Sequence, residues 1–82
     1  MNAPLPIFGP YEAAVDLFQR TFGIGAKITA IRSPRKVLDD FRADFPGETA
    51  YAGAPVELAE QGHVSVRGTT VAGHAVECPE PE

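Results

Sequence analysis

Apolar positions along this chain change period twice, and the changes predict its elements. Tyr11, Ala14, Val15, Phe18 and Phe22 recur at i, i+3, i+4, i+7 and i+11. That is the single stripe of an amphipathic helix, with Glu12, Asp16, Gln19 and Arg20 on the opposite side. Pro10 suits the first turn, where a missing N–H costs nothing, and Gly23 suits the end. Asp16 precedes Arg20 by four residues, the favourable order for a helical ion pair. From Ile24 to Arg32 the period falls to two. Ile24, Ala26, Ile28 and Ala30 point one way and Gly25, Lys27, Thr29 and Ile31 the other, as in a half-buried strand. Ser33-Pro34 then supplies an N-cap and a first-turn proline for a second helix, whose buried side is Val37, Leu38, Phe41 and Phe45. Pro46-Gly47 stops it. Arg35 with Asp39 and Lys36 with Asp40 stand four apart on its outer side, basic residue first, which is the weaker order.

The last third has no helical stripe. Val56 and Leu58, Val64 and Val66, and Val71 to Val76 form short runs separated by Gln61-Gly62 and Gly68-Thr69, the pattern of an antiparallel meander. Residues 48–55 read either as a loop or as a short strand interrupted by Gly53 and Pro55. At the start, Pro4, Pro6 and Pro10 among Leu5, Ile7 and Phe8 favour an extended arm over residues 1–10, whose apolar side chains should pack somewhere. At the end, Cys78-Pro79-Glu80-Pro81-Glu82 reads as an acidic tail over 78–82 without regular structure. The order of helix, strand, helix, then two to four strands predicts an α+β two-layer sandwich. It is one small domain over 1–82, with two helices packed on one face of a small, mostly antiparallel sheet.

Composition narrows the functions open to such a fold. Eighty-two residues, 44% hydrophobic and 22% charged, make an ordinary globular chain with a small core. A stability reserve of about 5 kcal/mol leaves little to hold a strained catalytic centre. Cys78 is the single cysteine, so no internal disulfide can form, as is usual in a reducing compartment. Met1 to Phe8 lacks a basic start followed by an apolar run of signal length, and no segment approaches the roughly 20 apolar residues of a membrane span. A cytoplasmic protein is expected. Ala, Gly, Pro and Arg together make 33 of the 82 residues, whereas Lys appears twice, a bias towards GC-rich codons that suggests a GC-rich bacterium or one of its phages or mobile elements.

Charge is divided unequally. Residues 1–42 carry a net +2, whereas in residues 43–82 Arg67 alone faces Asp44, Glu48, Glu57, Glu60, Glu77, Glu80 and Glu82, a net −6. An acidic surface repels phosphates and attracts basic proteins, so direct nucleic-acid binding is disfavoured and a basic partner favoured. The plainer alternative is that the excess Glu keeps a small domain soluble.

Catalytic and metal chemistry find little support. Gly23 and Gly25 follow a helix and precede a strand, the reverse of a phosphate-cradling loop. Among soft metal ligands only His63, His74 and Cys78 are present, and His74 and Cys78 on one strand would lie about 13 Å apart by strand rise. Neighbouring Glu77 and Glu80 discourage a nucleophilic thiolate at Cys78. Asp40 and Asp44, one turn apart, read as part of a solvated charged face. No catalytic residue, cofactor or metal site is therefore expected. The one basic focus is Arg32, Arg35 and Lys36 around the start of the second helix, which could contact an anion or pair with Asp39 and Asp40.

In size, GC-rich composition, lack of catalytic groups and an acidic half holding Glu48, Glu57, Glu60, Glu77, Glu80 and Glu82, the chain resembles, as a class, the small acidic inhibitors encoded by phages and mobile elements, anti-CRISPR proteins among them. That resemblance covers the whole chain as a profile, carries no motif and transfers no residue role. It implies a protein that blocks a basic nucleic-acid-binding surface of a larger complex; the acidic half itself offers Glu48, Glu57, Glu60, Glu77 and Glu80 as the candidate contacts. Two other readings stay open. A phage structural or assembly subunit would self-associate, as a homodimer or larger array, through its arm or a sheet edge. A small enzyme or enzyme subunit would gather His63, His74, Asp40 or Asp44 in an apolar pocket.

Overall fold

The computed structural model describes residues 7–60 and 62–79. The part of the expected arm before Ile7, and the tail beyond Pro79 with Glu80, lie outside the described residues.

Helix α1 spans Gly9–Phe22, with proline in its first turn and extended Phe8 as the cap residue. It buries Tyr11, Ala14, Val15 and Phe18, and Phe22 packs against the same core, so the predicted stripe is the buried one. Gly23 ends it at φ 91°, a conformation that a Cβ would strain. On the outer side Arg20 and Asp16 form the expected ion pair. Phe8, placed by the sequence in the arm, is buried in the core instead, while Ile7 remains exposed.

Strand β1 (Lys27–Ser33) departs from the expected alternation in two ways. Ile24 is 87% exposed in the turn that precedes it. Further on, Ile28 lies opposite Gly68 but Ala30 opposite Arg67, so two residues on β1 answer one on its neighbour. This bulge moves every later side chain to the other face. Ile31, expected on the outer face, is therefore fully buried.

Helix α2 (Arg35–Asp44) buries Leu38 and Phe41, with Val37 and Phe45 packed at the margin. Its cap residue is Pro34 rather than Ser33. The Ser33 hydroxyl stays in β1, where it accepts the Tyr11 hydroxyl at 2.7 Å and donates to the Pro34 carbonyl at 3.1 Å. A buried phenol hydroxyl without a partner is costly, and that demand outweighs the local capping signal. Among the described residues, neither Arg35–Asp39 nor Lys36–Asp40 closes as an ion pair.

The ambiguous stretch 48–55 contains β2 (Ala50–Tyr51) and the start of β3 (Ala54–Leu58), joined through Ala52 and Gly53, both at positive φ. Two positive φ values in succession match the right-handed twist of a tight hairpin. β4 (Ser65–Thr69) and β5 (Ala75–Cys78) complete one sheet in the order β2-β3-β1-β4-β5. β1 runs parallel to β3, and the other neighbouring pairs are antiparallel. The sheet is thus mostly antiparallel, but the last strands are not a meander, because β1 lies between β3 and β4.

Val56, Ile31, Val66 and Cys78 form one row across four strands on the face that meets the helices. Both helices contribute to this single cluster, giving the two-layer α+β fold. Cys78, assigned to the tail, is the last residue of β5 and is buried in that row. Gly68-Thr69, expected to be a turn, lies inside β4, and the chain turns instead at Val71-Ala72-Gly73. Gly68 is a strand glycine because the ring of Phe18 lies on it. A Cβ there would fall 2.5 Å from Phe18 Cζ and 2.3 Å from the Lys27 carbonyl oxygen.

Replacing Gly68 by alanine should accordingly cost about 1–3 kcal/mol through overpacking. Gly62→Ala, with nothing within 4 Å of the added atom, should stay within about 0.5 kcal/mol of wild type. Urea unfolding of both variants checks this, and equal midpoints would remove Phe18 on Gly68 as a packing constraint.

Candidate functional site

Three sets of side chains bear on function: the acidic residues, the basic focus, and a groove that the sequence did not reveal. The acidic set does not stay together. Glu48 and Glu60 are exposed in connections, before β2 and after β3. Glu57 is exposed on β3, opposite Arg32 on the sheet face away from the helices. Asp39, Asp40 and Asp44 are exposed on α2.

Glu77 behaves differently from the rest. Its side chain is only 12% exposed on the open face of the sheet, where β5 lies beside β4 and β4 beside β1. Ser65 Oγ donates to Glu77 Oε2 at 2.7 Å. Arg32 Nη1 reaches both carboxylate oxygens at 3.4 Å, and Arg67 Nη2 lies 3.6 Å from Oε1. Burial by itself would raise the pKa of this carboxyl, but the Ser65 hydrogen bond and the two guanidinium groups outweigh it and hold the acid below its ordinary 4.5. The expectation that Glu77 belongs to an exposed acidic contact surface is therefore corrected, since its charge is neutralised within the sheet.

The same network divides the basic focus. Arg32 is committed to Glu77, whereas Arg35 and Lys36 are exposed on the first turn of α2. Arg35 lines a shallow concavity of about 350 Å³ with Leu58, Ala59, Glu60 and Gly62.

A larger groove, of about 680 Å³, lies between the helix layer and the β2 edge. Its apolar lining is Ile7, Phe41, Phe45, Ala50 and Tyr51, with Ala52 and Gly53 of the hairpin; its charged lining is Glu12 and Glu48. The Tyr51 hydroxyl donates to Glu12 Oε2 at 2.5 Å and accepts the Phe8 N–H at 3.3 Å. Burial, then the hydrogen bond to Glu12, raises the Tyr51 pKa, so the phenol stays neutral and keeps its proton directed at the carboxylate. Glu12 is thereby fixed at the mouth of the groove. Neither Glu12 nor Tyr51 was legible as a site residue, because their pairing spans 39 positions and β2 is only two residues long.

No family model, curated protein or solved structure matches the chain. The geometry must be weighed by itself. Neither concavity is lined by His63, His74, Asp40 or Asp44. Among the described residues no three of His, Cys, Asp and Glu converge as metal ligands, and no helix is long and apolar enough to cross a membrane. For binding, the groove offers apolar surface and two carboxylates, and among the described residues its lining holds no cation.

The Glu77 network gives a pH signature. A carboxyl whose folded pKa is depressed contributes stability above its unfolded pKa and loses it as pH falls through the folded value. Glu77→Gln should cost about 1.5–3 kcal/mol at pH 7, the range for hydrogen bonds to a charged group. That difference from wild type should hold down to about the ordinary carboxyl value of 4.5 and shrink below it. Urea unfolding at pH 7 and pH 3 tests this; an undiminished gap at pH 3 would show that Glu77 acts by shape and not by charge.

Proposed function

We propose that this chain is a non-enzymatic protein-binding module that covers a basic, nucleic-acid-binding surface of a larger complex, in the manner of the phage and mobile-element inhibitors whose profile it resembles. The observation that carries this reading is where the uncompensated charge lies. Among the described residues, once Asp16 is paired with Arg20, and Glu77 with Arg32 and Arg67, the exposed carboxylates are Glu12, Asp39, Asp40, Asp44, Glu48, Glu57 and Glu60; Arg35, Lys36 and Arg42 balance the three aspartates of α2, which leaves Glu12, Glu48, Glu57 and Glu60. Lys27, Arg35, Lys36 and Arg42 are exposed as well, but none of them lines the apolar groove. Exposed carboxylates steer association with a cationic surface and compete there with phosphate, chiefly through the on-rate and its dependence on salt.

Self-association remains the second reading, favoured by the fact that β2 and β5 each pair on one side only. The two readings part in a pull-down from a GC-rich bacterial host washed at low and high salt. Recovery of a basic nucleic-acid-processing complex that salt elutes supports inhibition; recovery of the chain alone supports assembly. With that complex in hand, the double variant Glu57→Gln/Glu60→Gln should weaken binding about 2- to 30-fold at low salt, at roughly 0.2–1 kcal/mol for each exposed contact, and should flatten the salt slope. Unchanged affinity and slope would sink the electrostatic reading.

A further inference from the structure

The groove and the sheet edge beside it form one composite surface. β2 is an outer strand, paired to β3 through Tyr51 with Ala54 and Ala50 with Pro55. The Val56 N–H donates to the Thr49 carbonyl at 3.0 Å, so positions 49 and 51 direct their main-chain groups at β3. Alternation then turns the N–H and C=O of Ala50 outward, to the free side of the edge. Pro55 stands opposite Ala50, where its missing N–H removes no bond to β2. On the helix side, Tyr51 packs against Tyr11 and Phe41, and Phe45 and Ile7, with buried Phe41 behind them, line the space next to this edge. Apolar surface above and unused main-chain donors alongside are the two halves of a strand-addition site.

Charge selects the occupant. Among the described residues the charged lining is Glu12 and Glu48, and the Tyr51 hydroxyl fixes Glu12 in advance, which lowers the ordering cost of binding.

We propose that the groove receives an extended segment of the partner protein in which an apolar and a cationic side chain stand two residues apart, on one face of the strand, and that this segment adds as a sixth strand along β2. Its apolar side chain lies against Phe41, Phe45 and Ile7, and its lysine or arginine pairs with Glu12 and Glu48. This inference rests on the protein-binding reading above and names the part of the partner that is recognised. Because β2 is two residues long and Ala52 already turns at φ 52°, few main-chain bonds can form. The apolar contact and the carboxylates supply most of the affinity.

The test uses the whole chain, labelled with ¹⁵N, and an acetylated, amidated peptide of sequence Thr-Lys-Thr-Leu-Thr-Lys as the probe, which puts lysine and leucine on one face of the strand. Saturable amide shifts are expected at residues 48–53, Phe41, Phe45 and Glu12. The same peptide with Glu in place of Lys should bind at least about tenfold more weakly. Methylating alternate backbone nitrogens of the peptide in either register should weaken binding in one register and spare it in the other, a readout that leaves the protein untouched. Ala50→Pro removes an outward N–H and no bond to β3, so it should keep a native spectrum and lose peptide affinity. Shifts elsewhere, equal binding of the acidic peptide, or indifference to methylation in both registers would overturn the proposal. So would concentration-dependent shifts at 48–53 without peptide, which would give the edge to a second copy of the chain. If Glu57→Gln/Glu60→Gln still weakens the partner while Ala50→Pro does not, the acidic-surface reading survives and the strand-addition site falls; if neither variant matters, both fall.

Discussion

Tyr11 is the side chain on which the assembly of this small fold turns. Its ring centroid lies 4.7 Å from that of Phe8, 5.0 Å from Phe41 and 5.7 Å from Tyr51. One residue of α1 therefore fixes the entering chain, the second helix and the outermost strand. The ring is fully buried, which obliges its hydroxyl to find a partner, and Ser33 at the end of β1 meets that obligation. Burial raises the phenol pKa, against the opposing pull of the Ser33 hydrogen bond and the Arg42 charge, so the group stays neutral. Phe41 and Tyr51, both held by this ring, are also walls of the groove. The binding surface thus inherits its shape from the core rather than from a loop.

How far the sequence foretold this depends on the range over which each feature is set. The stripes of α1 and α2 are local, since four or five apolar residues at helical spacing leave one way to bury them, and both helices appear where they were expected. The orientation of Ile31 was hidden because one extra residue between Ile28 and Ala30 reverses the pattern, and a bulge leaves no mark in residue type. Gly68 looked like a turn because glycine usually is one in that setting; its reason for being in a strand is Phe18, fifty residues earlier. Ser33 looked like a cap until the buried hydroxyl of Tyr11 claimed it. The groove had no sequence signal, because its lining comes from three separated segments and from β2, whose Ala-Tyr pair has no period to detect.

The charge asymmetry between the halves of the chain needs the same correction. It does not become a positive and a negative hemisphere. Sheet order places β1 beside β4 and β4 beside β5, so Arg32 from the basic half meets Glu77 from the acidic half, with Arg67 completing the set. Part of the excess acidity is spent inside the protein; α2 carries as many basic as acidic side chains, so among the described residues the remainder lies on Glu12 of α1, on Glu57 of β3 and in the connections that hold Glu48 and Glu60. The acidic surface is consequently smaller than the sequence suggested and borders the apolar groove.

The central place of β1 shapes how the protein can be made. Both of its neighbours follow it in the chain, β3 at Ala54–Leu58 and β4 at Ser65–Thr69. A nascent chain that has passed α2 holds two amphipathic helices and one strand with nothing beside it, and Phe18 has no Gly68 to lie on. Such a chain cannot close its core in stages; the helices remain unsupported until the strand that completes the centre of the sheet has emerged. The apolar stripe of α1 therefore stays exposed from its own emergence until β4 has followed. The step that protects this part of the chain from proteases and chaperones waits for that strand and then comes all at once.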